Sequence, residues 1–385
     1  MNQYSCEFIN KGLFVSHRGT SLCCINEQIE KPTQLPSKFW NSKKRQQAII
    51  KSHKNMPVDG CASCYRLESK KLPSNRTRLK KYNSLPTKDL PVLLDLDFSN
   101  LCNLKCIMCN SERSSEFAKD EKLYVNNKGV SQVSKQVIDD LINISAEVKE
   151  IQIQGGEPSI MEDNNYYFQR LDEKGYSKNI TVLININGTN LNKKFCNSLK
   201  NFKSVRLSVS IDSYGLANNY IRWPSKFEAI DKNVRALAKY KNFHTEVFST
   251  INVLSLFDYK NFLFWCKEME SFYATNGKTF RVTPSKILDP IYYSPFIATN
   301  NLKDYFIHQI NDFLQYNNLT HNSKWKLEML MFLKSLKEAK TNHNAIKQLM
   351  YQVKYLDKQR NTSIEHFIPN FSLLLDKKAS KIATF

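Results

Sequence analysis

Three cysteines stand in the run Leu101-Cys102-Asn103-Leu104-Lys105-Cys106-Ile107-Met108-Cys109, spaced C-x3-C-x2-C. Thiolates this close together can converge on one soft metal centre, and iron–sulfur clusters, zinc and copper(I) are the centres that favour them. Zinc usually takes four ligands from paired C-x2-C hooks. Three thiolates with no obvious fourth fit a cluster with one iron left open, and an open iron is a place to bind a reactant. A second set comes earlier: Cys6, Cys23, Cys24, Cys61 and Cys64, the last two in the hook Cys61-Ala62-Ser63-Cys64. Four of these can hold either structural zinc or an iron–sulfur cluster. His17 reads as a hydrogen-bonded structural residue rather than a ligand. Cys196 and Cys266 fall inside predicted helices and read as core residues.

The elements that must position these residues alternate. Val92–Phe98, Val148–Gln154, Ile180–Ile186, Val205–Ile211, Val247–Val253 and Thr279–Thr283 read as six strands. Helical spacing falls between them at Val133–Ile144, Tyr166–Leu171, Leu191–Phe202, Lys226–Tyr240 and Tyr259–Met269. Strands separated by helices imply right-handed crossovers and a parallel sheet, with chemistry at the C-terminal strand ends. Those ends carry polar groups. The second strand ends in Gly155-Gly156-Glu157-Pro158, where two glycines allow close backbone approach and the carboxylate can accept from an ammonium group. The third ends in Asn187-Gly188-Thr189-Asn190, which is also an ordinary turn. On the fourth, alternation puts Ser208, Ser210 and Asp212 on one side, a stripe that an apolar interior does not accept readily. Beyond about Ile291 the pattern changes to helices at Leu302–Tyr316, Ser323–Lys340 and Asn344–Lys358.

The cysteine loop after a strand, followed by Gly-Gly-Glu-Pro at the next strand end, resembles the radical S-adenosylmethionine (radical SAM) enzymes. That resemblance implies a partial (βα)6 TIM-type barrel, here with an N-terminal cysteine-rich extension and a C-terminal helical region. It implies that Cys102, Cys106 and Cys109 hold a [4Fe–4S] cluster that chelates S-adenosyl-L-methionine (SAM), with Met108 replacing the family's usual aromatic beside adenine. It further implies cofactor contacts from Gly155, Gly156, Glu157, Asn187, Ser210, Asp212, Arg222 and Asn252. The spacing Cys6-x12-Gly19-x4-Cys24 and the hook at Cys61 are similar to the opening of the SPASM/twitch auxiliary-cluster region, which in typical members follows the barrel. No cysteine falls between Cys64 and Cys102, so the resemblance is to a single-cluster, twitch-like arrangement on Cys6, Cys24, Cys61 and Cys64, with Cys23 as the alternative to Cys24. Tyr355-Leu356-Asp357-x2-Arg360, followed by Pro369, is similar to the tail of the same group. The implied division is residues 1–90 as the auxiliary region, 91–290 as the barrel and 291–385 as a helical cap. The family further implies an external one-electron reductant of the flavodoxin or ferredoxin type and a peptide, protein or small-metabolite substrate.

Composition adds the setting. Ten cysteines in 385 residues, a polar start and strand-sized apolar runs predict a reduced, cytoplasmic protein with no secretory signal and no membrane partner. The formal charge is +20, and between Lys31 and Lys81 there are 14 Lys and Arg against two acids, Asp59 and Glu68, leaving +12. Such a surface attracts polyanions, so an RNA substrate stands as one alternative. A non-catalytic zinc protein that holds nucleic acid stands as another. A solvated lysine-rich face accounts for the charge equally well.

Overall fold

In the computed structural model, which describes residues 4–316 and 324–374, eight strands form one open sheet and two more form a small ribbon. The strands are β1 (Gly12–Ser16), β2 (Gly19–Ser21), β3 (Leu93–Asp97), β4 (Lys105–Cys106), β5 (Glu150–Ile153), β6 (Thr181–Ile186), β7 (Ser204–Ser210), β8 (Arg222–Trp223), β9 (Phe243–Ile251) and β10 (Phe280–Lys286). The sheet runs β10-β9-β7-β6-β5-β3-β1-β2, and every pairing in it is parallel except the β1–β2 hairpin. The six expected strands are thus β3, β5, β6, β7, β9 and β10, in order along the sheet.

Alternation explains why these segments are strands. On β5, β6 and β7 the apolar residues Ile151, Ile153, Val182, Ile184, Ile186, Val205, Leu207 and Val209 are all buried. They pack under helices whose own buried stripes include Val137, Ile138 and Leu141, then Tyr167, Phe168 and Leu171, then Ile230, Val234 and Leu237. The opposite face is polar. In register across the strands lie Gln152, Leu183, Arg206 and His244, and on the next rung Asn185, Ser208, Glu246 and Arg281. One face therefore builds the core and the other is left for chemistry.

The N-terminal region is part of this sheet. β1 pairs in parallel with β3 from Gly12↔Leu93 to Ser16↔Asp97, and all five of its residues are buried. The hairpin tip is tied to the loop beyond the cysteine motif: His17 meets Ser131 Oγ at 3.0 Å and the Glu112 carbonyl at 3.2 Å, and Arg18 pairs with Glu112 at 2.9 Å. His17 is structural, as its sequence context suggested. Two residues of the basic stretch are also internal. Arg45 lies over the Trp40 ring and donates to the Trp40 and Asn10 carbonyls, while Arg76 pairs with Glu68 and donates to the Ser5 carbonyl.

Helices Asn300–Tyr316, Lys324–Glu338 and His343–Arg360 follow the sheet. The predicted start of the middle one at Ser323 lies outside the described residues. Cys196 and Cys266 are buried in helices Lys193–Ser198 and Tyr259–Thr275, as expected. Among the described residues no helix is long and apolar enough to cross a membrane.

Candidate functional site

The cysteine loop leaves the C-terminal end of β3 and is fixed mainly by side chains. Asn100 is fully buried. Its Nδ2 donates to the Ser111 and Gly129 carbonyls, both at 3.0 Å, and its Oδ1 accepts from Ser131 N–H at 2.8 Å. Ser115 Oγ accepts from the Cys102 N–H and donates to its carbonyl, each at 3.2 Å, and Ser114 Oγ donates to the Leu104 carbonyl at 2.7 Å. Cys106 is held differently. The β4–β8 ribbon pairs Cys106 with Arg222 and Lys105 with Trp223, and Ile107 N–H donates to the Ile221 carbonyl at 2.9 Å.

All three thiols line one cavity of about 340 Å³, a size that falls within the ~300–1,000 Å³ of small-molecule sites. Met108, Gly155, Gly156, Glu157, Asn187, Ser210 and Arg222 line it too. Leu104, Asn110, Arg113, Gln154, Asn185 and Ile186 complete the wall, and the sequence marked none of these six as a site residue. Asn185 was accessible to sequence reasoning, because on β6 it alternates with the apolar Ile184 and Ile186. Burial raises the Cys102, Cys106 and Cys109 thiols above the ordinary range, Cys106 to about 12 with Arg222 opposing the rise. Such thiols are poor free thiolates, and a soft cation supplies the charge that makes them ligands.

The two glycines also serve a purpose that their sequence does not reveal. A Cβ on Gly156 would lie 2.1 Å from the Leu101 carbonyl oxygen, and one on Gly155 would lie 2.6 Å from Asp97 Oδ1. They let the β5 end abut the cysteine loop, where Gly156 N–H donates to Ser99 O and Glu157 N–H to Leu101 O at 2.7 Å. Gly156→Ala should therefore displace the cysteine loop and cost about 1–3 kcal/mol of stability. Urea denaturation checks this, and an unchanged midpoint would show that the loop yields freely.

Glu157 lines the cavity and is almost fully buried. Its Oε2 accepts from Asn187 N–H at 2.6 Å, and its Oε1 accepts from the Ser159 N–H at 3.1 Å and from the Ser159 hydroxyl. Burial pushes the carboxyl up to about 7, against the opposing pull of those hydrogen bonds. A raised carboxyl pKa favours the protonated form in the fold, so this group's stabilising effect is full below about pH 4.5 and is lost as pH rises through about 7. The metal-free protein should gain stability on acidification across that window, and Glu157→Gln should flatten the gain. Equal slopes for the two proteins would contradict it. Asn187 is also anchored: its Nδ2 donates to Asn103 Oδ1 at 2.9 Å and its Oδ1 accepts from Thr189 N–H at 2.9 Å, so the Asn-Gly-Thr turn grips the cysteine loop.

Two expected contact residues lie off the cavity. Asp212 is fully buried and pairs with Arg222 Nε at 2.8 Å, while its Oδ1 accepts from Thr250 N–H at 2.7 Å. Burial works against the Arg222 charge, but Asp212 and Cys106 outweigh it and hold the guanidinium above its usual pKa. Asp212 therefore sits behind Arg222, which faces the cavity. Asn252 is buried as well, and its Oδ1 accepts from Leu254 N–H at 3.0 Å and Ser255 N–H at 3.2 Å, capping a turn. Both lie beyond their strands' last residues, Ser210 and Ile251, where alternation no longer holds. Ser208 points to the polar face as expected and bonds Glu246.

The N-terminal cysteines separate into two chambers. Cys6, Cys23, Cys61 and Cys64 line one tight, mostly apolar space of about 20 Å³ with Ile9, Ile25 and Tyr65. Cys61 caps helix Ala62–Ser69 and Cys64 lies one turn along it, so the two thiols share a face. Cys24, the residue preferred from its spacing, is absent from this chamber. The chain turns at this point, with Asn26 N–H donating to the Cys23 carbonyl at 3.1 Å, and Cys23 borders both spaces. Cys24 lines a second cavity of about 60 Å³. There its thiol meets Asp95, which also accepts from Gln154 Nε2 at 2.7 Å. Burial raises Cys6 and Cys23, and Cys61 to about 11. Among the described residues no three His, Cys, Asp or Glu side chains come close enough together to hold a single metal ion.

Comparison with known proteins bears on the segment that carries the cavity. Residues 96–259 match the Radical SAM superfamily. That match spans the cysteine loop and β3 to β9, and so includes every expected cofactor contact. Similar solved structures include Streptococcus suis SuiB, 14% identical at a TM-score of 0.39 over 81% of this chain and 70% of that one. SuiB bound to its precursor peptide SuiA gives the same TM-score over 82% and 70%. The radical S-adenosylmethionine methyltransferase TsrM from Kitasatospora setae is 11% identical at a TM-score of 0.36, over 58% of this chain and 38% of that one. No curated protein matches.

Proposed function

We propose that the chain is a radical SAM enzyme, with Cys102, Cys106 and Cys109 as ligands of a [4Fe–4S] cluster and the 340 Å³ cavity as the SAM site. The observation that carries the reading is the convergence of the three thiols on one cavity with Gly155, Gly156, Glu157, Asn187, Ser210 and Arg222, residues from four separate strand ends. The donor set fits the group. Three half-buried thiols and the cationic Arg222 suit an anionic iron–sulfur centre, and an acceptor, Glu157, stands ready for an ammonium group. When bound, the cluster and SAM supply a 5′-deoxyadenosyl radical that takes a hydrogen atom from substrate. The protein's own residues do the rest. Glu157 orients the amino end, Arg222 the carboxylate, Ser210 and Asn187 the remaining polar edge, and the buried walls exclude water. The open polar face at Gln152, Arg206, Ser208 and Glu246 lies along the same sheet as this cavity and suits a hydrogen-bonding substrate of the peptide, protein or small-metabolite class.

The auxiliary site in this reading is Cys6, Cys23, Cys61 and Cys64, because these four share a chamber and each lies close enough to another for their charges to interact. The three-part division into 1–90, 91–290 and 291–385 stands with it, although β1 is shared with the sheet. An external one-electron reductant completes the scheme.

Anaerobic reconstitution tests the reading. Iron and sulfide in cluster proportion, a broad visible absorbance and dithionite-dependent 5′-deoxyadenosine support it, whereas zinc alone with intact SAM sinks it. In the same experiment Cys23→Ala should lower iron bound outside the three-thiol site, and Cys24→Ala should leave it unchanged. The reverse pattern would restore Cys24 as the ligand.

A further inference from the structure

The C-terminal segment Asp357 to Phe367 makes contacts that a simple cap does not need. Arg360, the last residue of helix His343–Arg360, donates from Nη1 to the Tyr220 carbonyl at 2.8 Å and from Nη2 to the Lys105 carbonyl at 3.1 Å. Lys105 and Cys106 are the β4 strand, and the Lys105 carbonyl belongs to the peptide bond immediately before Cys106. Tyr220 lies two residues before Arg222 on the segment that becomes β8. One planar guanidinium therefore spans both sides of the ribbon that carries a cysteine of the cavity and the cavity's arginine.

The fork is itself held in place. The Arg360 guanidinium carbon lies 4.9 Å from the centre of the Tyr220 ring and 5.3 Å from that of Trp223. Tyr220 Oη donates to Asp357 Oδ1 at 2.8 Å, and Ile364 N–H donates to Asp357 Oδ2 at 3.0 Å. Phe367 then packs on both rings, with centroids 5.6 Å from Tyr220 and 5.9 Å from Trp223. Aromatic walls, an aspartate brace and two carbonyl acceptors together define one orientation for the arginine.

We infer that Arg360, braced through Asp357, is a positioning residue that sets the β4–β8 ribbon and thereby the placement of Cys106 and Arg222 in the SAM cavity. It touches neither cofactor nor substrate. Its effect passes through two backbone carbonyls, and the inference rests on the cluster and SAM assignment made above. Lysine cannot replace it, because an ammonium point charge does not bridge two carbonyls in a fixed plane.

The test uses the full chain, reconstituted anaerobically, as wild type, Arg360→Lys and Arg360→Gln. SAM binding is measured by equilibrium dialysis. The SAM-induced change in the electron paramagnetic resonance signal of the reduced protein is recorded alongside, since a cluster at the N-terminal site would not give it. Losing a charge-assisted, part-buried pair of hydrogen bonds should weaken SAM binding roughly tenfold or more in both variants. The resonance change should shrink correspondingly, at a melting temperature close to that of wild type for Arg360→Lys. Wild-type SAM affinity in Arg360→Lys would overturn the inference, as would weakened binding that merely tracks a fall in melting temperature. If Arg360→Gln does not survive reconstitution, the lysine variant decides alone. A wild-type protein that loads a cluster yet shows no SAM response overturns the functional assignment itself, and the clamp with it.

Discussion

Cys106→Ala should abolish 5′-deoxyadenosine formation while leaving the chain folded. Two thiolates cannot hold a four-iron cluster with one open site, so the loss should be complete rather than partial. The fold should survive because the β4–β8 pairing runs through the Cys106 backbone, which alanine retains. The asymmetry between the cysteine sets makes the result informative. Iron and sulfide should persist at Cys6, Cys23, Cys61 and Cys64, so the variant should keep part of its visible absorbance while producing no nucleoside. Cleavage of SAM at the wild-type rate would remove the C-x3-C-x2-C loop from the chemistry.

Loss of Asp212 should give the largest change in stability. The carboxylate is fully buried and is the counter-charge of Arg222, whose own side chain is 10% exposed. Removing one member of a buried pair leaves the other charged and desolvated, at a cost of about 3–5 kcal/mol. Asp212→Ala also deprives Thr250 N–H of its acceptor. Asp212→Asn restores that acceptor but not the charge, so it should be milder yet still clearly destabilised. The measurement is the urea midpoint of the metal-free chain. The double variant Asp212→Asn/Arg222→Met should recover much of the loss, because it removes the stranded charge as well. A midpoint unchanged in Asp212→Ala would mean that Arg222 finds another partner or reaches water.

These two positions also show where the sequence is legible. Period-two alternation located all six parallel strands to within a few residues, because one face of each is buried against helices and a slip of one residue would invert it. The same rule placed Ser208 and Ser210 on the polar face. Asp212 and Asn252 lie off the cavity and follow the last residues of β7 and β9, where the rule no longer applies, since alternation is a property of the pleat and ends with it. Cys23 and Cys24 lie in a turn, where side chains follow no fixed period, so spacing alone does not choose between them. Gly155 and Gly156 were recognised as a motif, but their purpose was hidden, because the group they would clash with is the backbone of a loop some fifty residues earlier. Asn100 carried no local signal, and Arg360 stood out only as part of a tail motif that did not show what it touches. Each works through carbonyl groups that only the folded chain brings near, those of Ser111 and Gly129 in one case and of Lys105 and Tyr220 in the other. β1 was missed likewise, because its partner β3 is distant in sequence.

The pairing of β1 with β3 imposes an order on assembly. A chain emerging from the ribosome presents Cys6, Cys23, Cys61 and Cys64 first, yet Gly12 to Ser16 cannot take up their places in the sheet until Leu93 to Asp97 have been made. The hairpin that orients Cys23 is therefore completed only as the cysteine loop after β3 is itself being synthesised. The earlier thiols spend that interval without the walls that later enclose them, open to oxidation and to stray metal. The folding of the two cysteine regions is in this way linked through one strand, and a chain arrested before β3 would carry an N-terminal set that has nothing to dock against.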